Sequence, residues 1–366
     1  MKKTIGLCMI VKNESHVIER CLDSVKPLID FAVICDTGST DHTEGLIGIW
    51  LAQNKIPGSV YHHDWIDFAT NRSQSLQEMQ CKKNIDYVLV MDADDVLHLP
   101  KDFDVSAFKD SLTADAYMVP IKTGNLAYSR AQLFRNDKPF YYRGVVHEFL
   151  DCREPFTKAD LNIQGFCIQP IQDGARCQSG DKFVKDAELL KQSLKTETDP
   201  FMRSRYTFYL ANTLRDLGDN WEASGYYQKR AEMGGWVEEV YYSLWQKAVI
   251  EPTIDNFMKA HEVCPHRDEA LHGAAKAARL LNQYQHAYIL SKHGLTIPQP
   301  ASALFSEPWI YQWGMLDEFS ISAYYCGQYQ ESMVACQRLL NEGHLPIHEY
   351  VRVQQNLAFA IAKIDQ

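Results

Sequence analysis

The sequence predicts an α/β domain, built as a mainly parallel sheet with helices on its faces, followed by an all-α domain of helical repeats. Three observations predict it. Apolar, β-prone runs alternate with polar loops and helix-periodic stretches from Thr4 to Asp95. One of those runs, Tyr87 to Met91, ends abruptly in Asp92, Asp94 and Asp95. From Asp181 onward the strand signals fade and small residues recur at fixed offsets in a helical background. The expected boundary therefore separates residues 1–180 from residues 181–366.

Thr4 to Val11 reads as a strand. Lys12-Asn13-Glu14-Ser15 then opens a helix carrying Val17, Ile18, Cys21, Leu22 and Val25. Phe31 to Cys35 is the second strand, and Asp36-Thr37-Gly38-Ser39-Thr40-Asp41 is its loop. In that loop Gly38 supplies the tight turn, Ser39 or Thr40 can cap the next helix, and Asp41 favours its positive end. The next helix holds Leu46, Ile47, Ile49 and Trp50. A third unit runs from Val60 through His62-His63-Asp64 into a helix with Phe68, Leu76 and Met79. Right-handed crossovers collect all these polar loops on one sheet edge, where such sheets bind ligands. Ala116 to Ile121, Gln132 to Phe134 and Tyr141 to Glu148 read as further strands, and the stretch around Gly165, Gly174 and Gly180 reads as the closing loop.

In the helical half, Ala211, Leu214, Gly218, Ala223 and Tyr227 are echoed at the same offsets by Ala275, Ala278, Asn282, Ala287 and Ser291. Ser320, Ala323, Gly327, Ser332 and Cys336 repeat them once more. Small residues so placed let antiparallel helices pack closely, the logic of a tetratricopeptide (TPR) hairpin, and three copies suffice for a self-supporting stack. The first repeats are rich in aromatics: Trp221, Tyr226, Tyr227, Trp236, Tyr241, Tyr242 and Trp245. Most are expected in the core, with a minority left for an extended ligand.

Composition narrows the function. The 366 residues carry 37 Lys and Arg against 47 Asp and Glu, a formal net charge of -10, which disfavours nonspecific binding of nucleic acid. Lys2 and Lys3 precede an apolar run, but Lys12, Asn13 and Glu14 end it too soon for a signal peptide, and no run is long enough to span a bilayer. The ten cysteines form no CxxC pair or disulfide framework. A cytoplasmic protein with reduced thiols is expected. If the strand at Tyr87 stays extended, the period of two puts Asp92 and Asp94 on one face and turns Asp95 away. Two such carboxylates are costly side by side unless a cation lies between them, and oxygen ligands suit Mg2+ or Mn2+. An acidic, solvated turn after a core strand explains the same residues.

Ile10-Val11-Lys12-Asn13-Glu14, Cys35 to Asp41, Phe68-Ala69-Thr70-Asn71-Arg72 and Met91 to Asp95 stand in an order and spacing that resembles glycosyltransferase family 2 over the first half of the chain. The tail resembles the helical-repeat extension of some bacterial members, including enzymes that glycosylate peptides. The resemblance implies a GT-A (Rossmann-like) fold, a nucleotide-sugar donor, usually a UDP-sugar, and inversion at the anomeric carbon. It assigns Glu14 and Asp36 to the uridine and Arg72 to the nucleotide. Asp92 would hold ribose or metal-bound water, and Asp94 the Mn2+ or Mg2+ that bridges the diphosphate. The expected base is Glu148, with His147 as a third metal ligand; Asp173 is the competing carboxylate. Arg176 and Lys182 would close over the diphosphate, while Gln172 departs from other GT-A enzymes, which place a metal-binding His near this point. The expected activity is that of a metal-dependent hexosyltransferase with a saccharide or polypeptide acceptor. The helical tail would present the acceptor or form a subunit interface in a homo-oligomer. A scaffold that binds partners through a catalytically weak transferase domain is the alternative. A nucleotidyltransferase would open with a glycine-rich phosphate loop, and Ile10 to Ser15 holds no glycine.

Overall fold

A strand covered by helices on both faces must be apolar on both sides, and the first strands meet that requirement. A computed structural model of the chain describes residues 3–123, 126–178, 181–300 and 303–366; Lys2 and Gly180 lie outside the described residues. Strand β1 (Ile5–Val11) is followed by α1 (Ile18–Val25), β2 (Phe31–Asp36), α2 (Thr43–Asn54), β3 (Gly58–His62), α3 (Phe68–Gln80) and β4 (Tyr87–Val90). Leu7, Met9, Val11, Ile34 and Leu89 pack on one face with Ile18, Leu22, Ile47 and Trp50. Cys8, Val33, Val88 and Val90 pack on the other with Leu76 and Met79 of α3. Ile49, on the same helix as Ile47 and Trp50, is exposed.

The remaining elements of this half are β5 (Asp95–His98), α4 (Val105–Ser111), β6 (Ala116–Thr123), β7 (Leu126–Arg135), β8 (Phe140–Arg143), β9 (Phe149–Cys152), β10 (Lys158–Asp160), β11 (Cys167–Pro170) and α5 (Ala175–Gln178). The main sheet runs β3-β2-β1-β4-β7-β6-β11-β5, with β10 pairing to β6. Its first four strands are parallel. Antiparallel pairing at β4·β7, β6·β7 and β11·β5 then makes the sheet mixed, while β10 and β11 pair with β6 in parallel again. The chain moves outward from β1 to β3 and returns on the other side of β1 at β4, so the strand order reverses between β1 and β4. The carboxyl ends of these strands flank the crevice where open α/β sheets bind ligands.

Two segments differ from expectation in detail. Tyr141 to Glu148 is not one strand: β8 and β9 form an antiparallel hairpin, and left-handed Gly144 (φ 104°) and His147 (φ 51°) turn the chain between them. The segment around Gly165 and Gly174, read as a loop, contains β11 and α5.

The chain divides into two units, Met1–Ser193 and Leu194–Gln366, which places the division inside α6 (Lys182–Thr196). The second unit consists of helical hairpins: α7 (Pro200–Asp216) with α8 (Asn220–Glu232), α9 (Val237–Ile250) with α10 (Ile254–Val263), and α11 (Glu269–Leu280) with α12 (Tyr284–Gly294). A π-turn at Ile310–Gly314 leads into α13 (Met315–Tyr325), which pairs with α14 (Tyr329–Asn341); α15 (Tyr350–Ile364) packs on α14. The residues of the three echoes occupy the same places in their hairpins. Ala211, Ala275 and Ser320 are buried in the first helix, and Tyr227, Ser291 and Cys336 in the second. Gly218 (φ 83°), Asn282 (φ 60°) and Gly327 (φ 76°) make the left-handed turn between them. In each copy the next residue donates its backbone N–H to the carbonyl of Leu214, Ala278 or Ala323 at 2.9 Å. Of the aromatics, Tyr227, Tyr241, Tyr242 and Trp245 are buried, whereas Trp221 is 89 % and Trp236 56 % exposed. No helix of the described residues is long and apolar enough to cross a membrane.

One buried acid in this unit sets a pH dependence. Asp268, just before α11, is 1 % exposed, and its Oδ1 has no hydrogen-bond partner among the described residues. Burial, then the charge of Glu269, push its carboxyl up to about 8. Between pH 4 and pH 8 the folded state holds a proton that the unfolded chain releases, so this group makes stability fall as pH rises through that window. Asp268→Asn is expected to remove the decline and to stabilise the protein at pH 8 by at least ~1 kcal/mol, since a tenfold difference in proton affinity between the two states corresponds to about 1.4 kcal/mol. Denaturant unfolding of both proteins at pH 5 and pH 8 checks this; parallel losses in the two would contradict it.

Candidate active site

The loops after β1 and β2 are laced together. Asn13 N–H donates to Ser39 Oγ at 2.9 Å, Thr40 N–H to Asn13 Oδ1 at 2.7 Å, and Glu14 N–H to Thr43 Oγ1 at 2.8 Å. Ser39 and Thr40 are therefore spent between the loops, and Asp41 serves the start of α2 by accepting from Thr43 N–H at 3.0 Å. Asp36, at the end of β2, is 3 % exposed. Its Oδ1 accepts the N–H groups of Gly38 and Ser39, both at 2.7 Å, while the equally buried Oδ2 has no partner among the described residues. An orphaned carboxylate oxygen of this kind is costly unless a ligand donor completes it.

The acidic run after β4 does not stay extended. Asp95 N–H donates to Asp92 O at 3.1 Å and Asp95 Oδ2 accepts Asp92 N–H at 3.0 Å, closing a turn before β5. The turn buries Asp95 and sends Asp92 and Asp94 to different partners. Asp92 accepts from Arg72 Nη2 at 2.5 Å, and Arg72 Nε donates to Glu148 Oε1 at 2.7 Å. Arg72 is 6 % exposed and its guanidinium also lies 5.9 Å from the centre of the Tyr142 ring. It is thus buried between two carboxylates. Burial works against its charge, but Asp92 and Glu148 hold it well above the ordinary range. Burial likewise opposes the charge on Asp92, which Arg72 and Arg130 outweigh, keeping it below the usual carboxylate range. Arg130, on β7, completes this cluster. It carried no signal in the sequence, because the residues around it show neither a motif nor a clear period.

Asp94 faces a second centre. Strand β11 pairs with β5, Pro170 opposite Asp95, and Ile171 N–H donates to Asp94 O at 3.2 Å. Left-handed Gln172 (φ 63°) then turns the chain, so that Gly174 N–H meets Asp94 Oδ2 at 3.3 Å and Ala175 N–H meets Glu14 Oε2 at 3.2 Å. A Cβ on Gly174 would lie 3.1 Å from Asp94 Oδ2 and 3.2 Å from Glu14 Oε2, so a larger residue there would push both carboxylates back by a few tenths of an ångström. Burial, then Asp92, push Asp94 above its ordinary range. Burial pushes Glu14 up to about 7, with Asp94 adding to it against the Ala175 N–H. Asp173 is paired elsewhere: Arg20 grips both its oxygens at 2.6 and 2.7 Å and holds it low.

Of the other expected residues, His147 is exposed in the β8–β9 turn, and Asp92, Asp94 and His147 do not gather as a set within 4.8 Å. Among the described residues the cluster with that spacing is Glu238, Cys264 and His266, in the second unit. Arg176 stacks 4.3 Å from the centre of the Phe68 ring and pairs with Asp186 on α6. Lys182 lies 5.8 Å from the ring of Phe183. Asn71, buried within the Phe68-to-Arg72 motif, ties down the approach to α3 by accepting Ile66 N–H at 2.9 Å and donating to Asp64 O at 2.9 Å.

The chain is similar to known proteins over part of its length. A TPR repeat-containing protein of Synechococcus elongatus is 32% identical over 152 residues, which take in 40% of this chain and 35% of the relative. An uncharacterised glycosyltransferase of Rickettsia bellii is 29% identical over 118 residues, 32% of this chain and 37% of the relative. Either match thus spans little more than a third of the relative's length. Among solved structures, S. aureus TarS superposes with a TM-score of 0.40 at 14% identity, covering 72% of this chain and 55% of that one. The family model for glycosyl transferase family 2 matches residues 7–143, the stretch that contains Glu14, Asp36, Arg72, Asp92 and Asp94. Over residues 7–143 the chain is thus similar to glycosyl transferase family 2.

Proposed function

We infer that this protein is a metal-dependent, inverting hexosyltransferase that moves a sugar from a UDP-sugar to a saccharide or polypeptide acceptor. The observation that carries the reading is the buried, unpartnered Oδ2 of Asp36 at the end of β2, inside the stretch similar to glycosyl transferase family 2. A carboxylate oxygen in that place suits the N–H of a pyrimidine base or a ribose hydroxyl. The nearby carboxylates suit a cation. Asp94 and Glu14 crowd one glycine, both take protons more readily than usual, and neither has a lysine or arginine ion pair among the described residues. Asp94, with Asp92 beside it in sequence, would hold Mn2+ or Mg2+, which when bound would neutralise charge on the departing diphosphate.

In the transfer, the acceptor oxygen forms its bond to the anomeric carbon from the face opposite the leaving group as the bond from that carbon to the phosphate oxygen breaks. The acceptor proton must pass to a carboxylate. Glu148 is the better placed candidate, because Arg72 fixes one of its oxygens on a rigid helix, whereas Asp173 has both oxygens engaged by Arg20. Arg72 thereby acts as the positioning residue for Glu148 and Asp92 together. Asp36→Ala is expected to weaken UDP binding by about 1.5–3 kcal/mol, the scale of one hydrogen bond to a charged group. Titration calorimetry with UDP and Mn2+ measures it, and an unchanged affinity would remove Asp36 from the nucleotide site.

A further inference from the structure

The hairpins of the second unit are joined by short turns, residues 233–236 and 264–268, until the connection from α12 to the π-turn at Ile310, which spans residues 295–309. A connection of that length in a compact repeat array calls for a function of its own. Its described end, from Ala303 onward, is laid along the first helices of the preceding hairpins. The Leu304 peptide is gripped from both sides: its N–H donates to Glu238 Oε2 at 3.0 Å and its carbonyl accepts from Arg267 Nη1 at 2.9 Å. Glu238 and Arg267 are themselves paired at 2.7 Å. One residue on, the Phe305 ring lies 5.0 Å from Tyr242 of α9 and stacks 6.5 Å from Phe208 of α7. Two residues further, Glu307 N–H donates to Glu269 Oε1 of α11 at 3.2 Å.

Three features distinguish this contact from a buried structural staple. The grip is on main-chain groups, which every peptide possesses. Phe305 remains 53 % exposed although its ring packs against Tyr242 and Phe208. It also holds a left-handed backbone (φ 49°), a conformation that costs a non-glycine residue of its kind energy the contacts must offset. We propose that the face of α7, α9 and α11 is a binding groove for an extended polypeptide with an aromatic side chain, and that residues 303–307 are a built-in occupant which such a peptide displaces. The Glu238–Arg267 pair reads the peptide backbone, the Tyr242–Phe208 pocket reads the aromatic ring, and Glu269 takes a later N–H. This rests on the reading of the protein as a transferase only in taking the displacing peptide to be the acceptor; the groove itself is tested by binding.

The probe is a capped, fluorescently labelled peptide with the sequence of residues 303–309, used against the full chain. In the wild type the tethered segment competes at the high effective concentration of an intramolecular ligand, so binding is weak. Phe305→Gly removes the ring and suits the left-handed backbone, and Leu304→Pro removes the N–H that Glu238 accepts. Either variant is expected to bind the peptide at least tenfold more tightly than wild type, and a peptide with serine in place of its phenylalanine should lose that gain. Equal binding by wild type and both variants, or no preference for the phenylalanine, would show a fixed strut and overturn the proposal. UDP release by the same preparations reports separately on the transferase reading, so the failure of one is not mistaken for failure of the other.

Discussion

Arg72→Met is expected to destabilise the protein by about 3–5 kcal/mol and to abolish sugar transfer, the cost of removing one partner from a buried ion-pair cluster. The physical reason is the arrangement around the guanidinium: Asp92 at 2.5 Å and Glu148 at 2.7 Å share one buried cation. Without it, two carboxylates face each other with only Arg130 near them, and at least one must take up a proton or swing out. Arg72→Lys keeps the charge but not the fork, so a single ammonium cannot bond both acids. It should retain much of the stability and still lose most of the activity. Urea unfolding separates the two effects. A methionine variant with full stability and full transfer would mean that the pairings do not matter to either.

Asp94→Ala is expected to leave stability within about 0.5 kcal/mol of wild type, because a half-buried carboxylate that only its Gly174 N–H and its charged neighbours address contributes little to the core. Transfer should fall by on the order of 10²-fold or more, the scale of losing an electrostatic partner of developing charge. UDP affinity in Mn2+ should drop to its value in EDTA. Turnover that persists in EDTA, with or without Asp94, would contradict this part of the account.

Most of the first unit was legible because its strands are buried on both faces. Such strands are continuous apolar runs, and Cys21, Leu22, Ile47, Leu76 and Met79 gave the helices between them a period. The later strands β9, β10 and β11 escaped notice: each has three or four residues, and each is interrupted by at least one polar or charged side chain. Tyr141 to Glu148 alternates well enough to pass for one strand, and Gly144 was the only signal of the break. The expectation that Asp92 and Asp94 share a face failed for a local reason: Asp95 caps Asp92 N–H and folds the run into a turn. In the second unit the three echoed hairpins were visible because helix crossings demand small residues there. The α9–α10 hairpin was not, since it packs through Tyr241, Trp245 and Phe257 and turns at Glu251-Pro252-Thr253 with no left-handed residue.

The site residues divide in the same way. Glu14, Asp36, Arg72, Asp92 and Asp94 lie at strand ends or at the start of a helix, where short motifs mark them. The partnership of Arg72 with Glu148, the support of Arg130 and the role of Gly174 as the meeting point of Asp94 and Glu14 depend on chain crossings between distant segments. No spacing in the sequence records them.

The central claim is that the carboxylates at the ends of β1, β2 and β4 bind a nucleotide sugar through a divalent cation. The direct measurement is release of UDP from a panel of UDP-sugars by the purified 366-residue chain in Mn2+, repeated in EDTA and with Asp94→Ala. The account predicts release from at least one UDP-hexose that disappears under both controls. Absence of release from every donor, together with no calorimetric binding of UDP at millimolar concentration, would contradict it and leave the domain as a scaffold.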